Sequence, residues 1–230
     1  MRVIRGLAVA AVVVLNVGPA DAQPTRGFKD SWFWGGKAGL MSYQITNNNV
    51  AKNPFALLGG GDWLITRTNG GLYLSFDHSF FSADSLWVND SLSPLDSLPR
   101  VVALRGLRRF TLAGMLFPKQ TYRLHPYIGF GVSLVHISNA EPQQKAGDPT
   151  LYRNSTQQNL VQSTIEFFRS TATPVFMLGA QLKLPLASGF VQLTASPANN
   201  NFFLFTGSNF RTTVEAGLRY NMGSSIERMR

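Results

Sequence analysis

Gly71-Leu72-Tyr73-Leu74-Ser75-Phe76-Asp77-His78-Ser79-Phe80 decides the fold. Leu72, Leu74, Phe76 and Phe80 fall on one side of an extended chain, and Tyr73, Ser75, Asp77 and Ser79 on the other. Successive side chains of a strand point to opposite faces, so this run reads as a β-strand with one apolar and one polar face. The same alternation recurs in seven other stretches, giving eight in all. They run over about Trp32 to Tyr43, Ala56 to Thr66, Val102 to Leu116, Arg123 to Ser138, Pro174 to Leu184, Gly189 to Ser196 and Phe210 to Met222.

The connections between these stretches alternate in length. Brief turns are expected at Arg67-Thr68-Asn69-Gly70, around Phe117-Pro118-Lys119-Gln120 and around Leu186-Ala187-Ser188-Gly189. Long polar connections are expected near 45–55, 82–100, 139–172 and 196–208. Tight turns at one end and long loops at the other are the pattern of a transmembrane β-barrel. In hydrocarbon every backbone N–H and C=O must be paired, so strands span only as a closed sheet.

The first 22 residues read as an export signal. Arg2 and Arg5 precede an apolar core from Gly6 to Val17, and Ala20-Asp21-Ala22 is a cleavage site of the small-x-small type. The core is too short to cross about 30 Å of hydrocarbon as a helix. Gln23 then opens the mature chain, and 23–30 is expected to be a periplasmic segment, 31–223 the barrel and 224–230 a short tail. The absence of cysteine removes disulfides, thiolate metal sites and a lipid-modified N-terminus. The formal charge of +9 becomes +8 once Arg2, Arg5 and Asp21 leave with the signal. An exported chain does not meet nucleic acid, so the anionic partner expected is outer-membrane lipid, lipopolysaccharide above all.

Facing assignments follow from parity. Outward are Trp34, Gly36, Ala38 and Leu40, then Leu57, Gly59, Gly61, Trp63 and Ile65. Leu104, Phe110, Leu112 and Leu116 are also placed outward, as are Pro126, Ile128, Phe130, Val132 and Leu134. The last three strands put Phe176, Leu178, Ala180 and Leu182, then Val191, Leu193 and Ala195, then Phe210, Val214, Ala216, Leu218, Tyr220 and Met222 outside. Trp32, Trp34, Trp63, Phe80, Phe117, Tyr122, Phe190 and Tyr220 are expected as interfacial aromatic girdles. A soluble barrel or sandwich alternates too, with its apolar face inside. The export signal, the aromatics and the loop asymmetry favour the membrane arrangement.

An eight-stranded barrel is just wide enough to be filled by side chains. Lys37, Arg105, Arg109, Lys183, Arg211 and Arg219 are expected inside with Asp62, Asp77 and Glu215. Buried charges must pair, which predicts ion pairs, a plugged lumen and the surplus cations resting on Tyr, Gln and Asn acceptors or on trapped water. Arg108 breaks the pattern, since a lipid-facing arginine at mid-membrane costs about 2–4 kcal/mol. A β-bulge near Arg108, or a position at the interface, is expected.

Three stretches carry a family resemblance: Trp34-Gly35-Gly36-Lys37-Ala38-Gly39, His125-Pro126-Tyr127-Ile128-Gly129-Phe130-Gly131-Val132 and Ala216-Gly217-Leu218-Arg219-Tyr220-Asn221-Met222. Together they resemble the small outer-membrane β-barrel family related to the OmpA-type transmembrane domain. The resemblance implies an all-β, eight-stranded, antiparallel up-and-down transmembrane barrel in the outer membrane of a Gram-negative-type bacterium. It also implies periplasmic termini, insertion by the outer-membrane assembly machinery, a monomer, no cofactor and no catalytic residue. Barrels of this kind often end on an aromatic residue; here Ser224 to Arg230 follows, so Tyr220 or Met222 takes that role.

His136-Ile137-Ser138-Asn139-Ala140 resembles the His-x-Ser-Asn motif of the lipid A 3-O-deacylases, which are also outer-membrane barrels. That resemblance implies Ser138 as nucleophile and His136 as base, with an acid such as Glu166 to orient the imidazole. The plain alternative is a polar strand end at the interface. His78 and His125 lack neighbours at metal-ligand spacing. Gln158 to Ser170 reads as either a strand extension or a short amphipathic piece over the rim. The functional expectation is a non-enzymatic barrel acting through its long loops. An ester hydrolase and a narrow small-solute channel are the alternatives.

Overall fold

The computed structural model describes residues 28–43, 45–47, 50–52, 55–87, 100–118, 123–143, 155–184, 187–197 and 210–225. The export signal and the end of the tail lie outside them. Eight antiparallel strands close into one barrel. They are β1 (Ser31–Ser42), β4 (Phe55–Thr66), β5 (Gly70–Trp87), β6 (Arg100–Leu116), β7 (Leu124–Gln143), β8 (Ser170–Lys183), β9 (Ser188–Pro197) and β10 (Phe210–Ser224). Each pairs with its neighbour in the chain, and β1 pairs with β10 to seal the ring. The first long connection holds a small hairpin, β2 (Ile45–Asn47) with β3 (Val50–Lys52). The third holds a helix, α1 (Ser155–Phe168).

Following the pairing once round gives the stagger. Ala180 faces Val191, then Ala216, Ala38, Gly59, His78, Arg108, His136 and finally Ser170, back on β8. The path returns ten residues from where it began, which for eight strands tilts them about 40° to the axis. A residue then rises about 2.5 Å along the axis. On β7 the exposed apolar side chains run from Leu124 through Ile128, Phe130 and Val132 to Leu134. The ten steps between them cover about 25 Å, the height of the apolar band of an outer-membrane barrel.

Sidedness agrees with the reading from parity. Leu72, Phe76, Phe130, Phe176, Val191, Val214 and Leu218 are exposed, and Lys37, Asp62, Asp77, Arg109, Glu215 and Arg219 are buried. Trp34 pairs with both Trp63 and Tyr220 at the short-turn end. Trp63 lies 5.4 Å from Trp32 and 5.9 Å from Trp34, ring to ring. Two expected girdle residues turn inward instead. Phe117 enters a cluster inside the lower mouth, and Phe190 lies beneath the Arg219 guanidinium, 3.7 Å from ring centroid to carbon. Both occupy inward parity, which outweighs their nearness to a strand end. Tyr122 lies outside the described residues.

The expected irregularity near Arg108 is present and changes two assignments. Gly106 has a φ of 62°. Ser79 faces Leu107 while Ser82 faces Arg105, so two residues of β5 stand against Gly106. The left-handed residue inserts one step into the alternation of β6. Leu104 therefore turns inward with no exposure, and Arg105 turns outward. Both reverse the sequence expectation. Beyond Gly106, β7 stays in register with β6, so Ile137 and Ala140 pack inside and Asn139 is exposed.

Candidate functional site

Inside the barrel, charge is confined to the middle. Lys37 on β1 lies 2.8 Å from Asp77 Oδ1 and 2.7 Å from Glu215 Oε2, and donates to Tyr73 Oη at 3.0 Å. Arg109 on β6 donates through Nε to Asp77 Oδ2 at 2.9 Å and also pairs with Glu215. Arg219 on β10 meets Asp62 Oδ2 at 2.8 Å through Nε and 2.5 Å through Nη2, and donates through Nη1 to Gln181 Oε1 at 2.8 Å. Arg211 donates to Thr173 Oγ1 at 3.4 Å. Strand alternation delivers these groups to the axis, where unpaired charge is costly and paired charge is tolerated. The surplus cations rest on tyrosine, glutamine and threonine oxygens. Lys183 is half-buried near the short-turn end.

Apolar clusters close both ends of the lumen, which the sequence reading missed. Toward the short turns, Phe28, Phe33, Leu64, Met115, Phe117, Tyr127 and Met177 form one cluster. Phe28, from the segment before β1, stacks on His125 at 3.9 Å and 8°. Toward the long connections, Met41, Leu58, Leu104, Leu107, Val135 and Ile137 form a second cluster. Val161 and Ile165 of α1 close it from above; spaced four residues apart, they share one helix face. Between the ion pairs and this apolar cap lies a small void whose walls include Leu107, Arg109, Arg211 and Thr213. The lumen is thus filled by three stacked layers, of which only the central one is ionic.

The residues that suggested chemistry sit on the outside, just beyond the apolar belt. His136 follows Leu134 on β7, and its Nδ1 is 2.7 Å from Ser170 Oγ at the start of β8. Ser138 Oγ is buried and has no hydrogen-bond partner among the described residues. The structure therefore joins His136 to Ser170 and leaves Ser138 apart. Ser138 sits at the β6–β7 irregularity, where its hydroxyl packs against Gly106 opposite His78. Glu166, the acid suggested for the motif, binds Arg169 Nε at 2.8 Å. His136 lies beyond the apolar belt; burial, then the Arg169 and Arg108 guanidiniums, lower its pKa, and Glu166 opposes them. A neutral imidazole next to a hydroxyl is a possible base–nucleophile pair in composition. No second carboxylate is aligned with it among the described residues. Ser170 was reachable from sequence only through the β7–β8 register, which parity does not supply.

No protein-family model matches the chain. No curated protein matches it either. Solved structures of similar shape include Neisserial surface protein A, with 8% identity and a TM-score of 0.48 over 83% of this chain and 97% of that one. The outer membrane protein OprG of Pseudomonas aeruginosa gives 13% identity and 0.48 over 86% and 99%. The attachment invasion locus protein Ail of Yersinia pestis gives 8% and 0.40 over 84% and 99%. Likeness at this level adds nothing to what the strand pairing already establishes.

Proposed function

We propose that the chain is a non-enzymatic outer-membrane β-barrel with a sealed lumen, acting at the surface through its long connections. The supporting observation is the exterior: an apolar belt about 25 Å tall around a ring with no free sheet edge. Such a surface in water would expose far more contiguous apolar area than a soluble monomer carries. The short-turn end, with Ser31 and Ser224 paired beside it, faces the periplasm in this reading, and the long connections face outward. Binding function concentrates on loops held by a rigid scaffold. The ionic layer between two apolar layers speaks against a small-solute channel.

Membrane fractionation and gel mobility test the proposal. The full chain should partition with outer membranes and migrate faster unboiled than boiled. Recovery in the soluble periplasmic fraction with no heat-dependent mobility would overturn it. The hydrolase remains a second reading because of the His136–Ser170 contact, with Ser170 replacing Ser138 as the hydroxyl. Mass spectrometry of lipid A from cells with and without the protein distinguishes them: an unchanged acyl pattern supports the non-enzymatic reading.

A further inference from the structure

Three neighbouring strands carry a row of histidine, arginine and histidine on the outer face. His78 on β5 faces Arg108 on β6, and Arg108 faces His136 on β7. Arg105, turned outward by the Gly106 irregularity, lies one step farther out. Arg169 is close enough to act electrostatically on His136, as Arg108 does. Arg169 has Glu166 as a partner, whereas no carboxylate among the described residues pairs with Arg105 or Arg108. The carboxylates of Asp84 and Glu141 lie farther out, on residues that both face Ala103, five positions beyond Arg108 on β6.

Immediately on the membrane side of this row the surface is apolar. Phe110 and Leu134 are exposed directly below Arg108 and His136, and Phe76, which faces Phe110, is exposed below His78. Phe80, 70% exposed, packs edge-on against His78 at 4.7 Å from the outer side. Counted along β7, the row lies just beyond the exposed apolar run from Leu124 to Leu134, where hydrocarbon gives way to headgroups. A guanidinium offers a planar fork of donors that matches phosphate oxygens, and charge-assisted contacts of this kind are the stronger hydrogen bonds. An acyl-contacting floor below a cationic ledge is complementary to an amphiphile with a phosphate head.

We propose that Arg108, flanked by His78 and His136, holds the phosphate of a lipid headgroup in the outer-facing leaflet, with the acyl chains lying on Phe110 and Leu134. The inference rests on the membrane reading above and assigns a lipid class to one face of the barrel.

The test uses the full chain refolded in dodecyl maltoside, which carries no phosphate. Spin-labelled phosphatidic acid and the matching diacylglycerol serve as probes, and the motionally restricted fraction reports binding. Wild type should prefer phosphatidic acid by about tenfold or more. Arg108→Gln should abolish that preference, and His136→Gln should reduce it. Lys29→Gln, a basic residue exposed at the short-turn end, should leave it intact. Equal binding of both probes by wild type, or an unchanged preference in Arg108→Gln, overturns the inference. Displacement by millimolar inorganic phosphate as effective as by phosphatidic acid would reduce the ledge to an anion site and also overturn it. Loss of the heat-dependent mobility shift in wild type would instead strike the membrane reading, so the two failures are separable. A fold defect confined to Arg108→Gln would leave His136→Gln as the deciding variant.

Discussion

Arg219 and Asp62, 157 residues apart in sequence, bind each other at 2.5 Å with neither side chain exposed. Around them, Gln181 and the Phe190 ring complete the cation's shell. Removing one partner strands the other charge in a dry interior, which costs about 3–5 kcal/mol. Asp62→Leu is expected to lose that much in denaturant unfolding from micelles. Arg219→Met added to it should recover most of the loss. Equal instability of the single and double variants would show that the pair is not coupled.

Gly106 tests the irregularity that reverses Leu104 and Arg105. At a φ of 62° an added Cβ meets His78 Cε1 at 3.3 Å and Ser138 Oγ at 3.4 Å. Left-handed backbone costs a non-glycine residue about 1–2 kcal/mol, and a β-branched one suffers most. Gly106→Val should therefore lower unfolding stability by about 2 kcal/mol. Asn, which tolerates this region, should cost less than half of that. Identical stabilities for the two variants would contradict the geometry.

The helix cap makes a prediction about conductance. Val161→Asp with Ile165→Asp places carboxylates against the upper apolar cluster and should undock α1. Trypsin and chymotrypsin should then cut the connection between β7 and β8 readily while the barrel keeps its heat-dependent mobility. Planar-bilayer conductance should stay near zero in both proteins, because Lys37, Asp77, Arg109 and Glu215 still fill the middle. Channels opening on loss of the helix alone would show that α1, and not the ionic layer, is the seal.

Phe28 closes the other mouth. In a fully packed interior Phe→Ala costs about 3–5 kcal/mol, and at a mouth that water can refill the lower end, about 3 kcal/mol, is expected. Thermal unfolding of Phe28→Ala measures it. A loss below about 0.5 kcal/mol would mean that the segment before β1 merely lies against the barrel.

Strand alternation was legible because a residue at a sheet surface has only two ways to point. It placed the partners Lys37, Asp77 and Glu215 inside from strands far apart in sequence. It failed where a single backbone residue broke the period: Gly106 is one glycine among 21, and composition does not announce its φ. The inward positions of Phe117 and Phe190 were readable from parity but were masked by their place at strand ends. The helix was half-visible, since Val161, Ile165 and Phe168 recur at helical spacing within a polar run. What covers them depends on which residues crown the lumen, and Leu104 had been assigned to the wrong side. The contact of His136 with Ser170 is a matter of cross-strand register, which pattern alone leaves open.

The strand that opens the sheet and the strand that completes it are hydrogen-bonded neighbours, Trp34 beside Tyr220 and Leu40 beside Val214. Until β10 arrives, β1 has one unpaired margin exposing its amides and carbonyls, an invitation to other chains. Contacts this remote in sequence form late and slowly. Nascent copies must therefore be kept apart, or the final closure made faster than their encounter, which places the hazard for this molecule in its making rather than in its finished state.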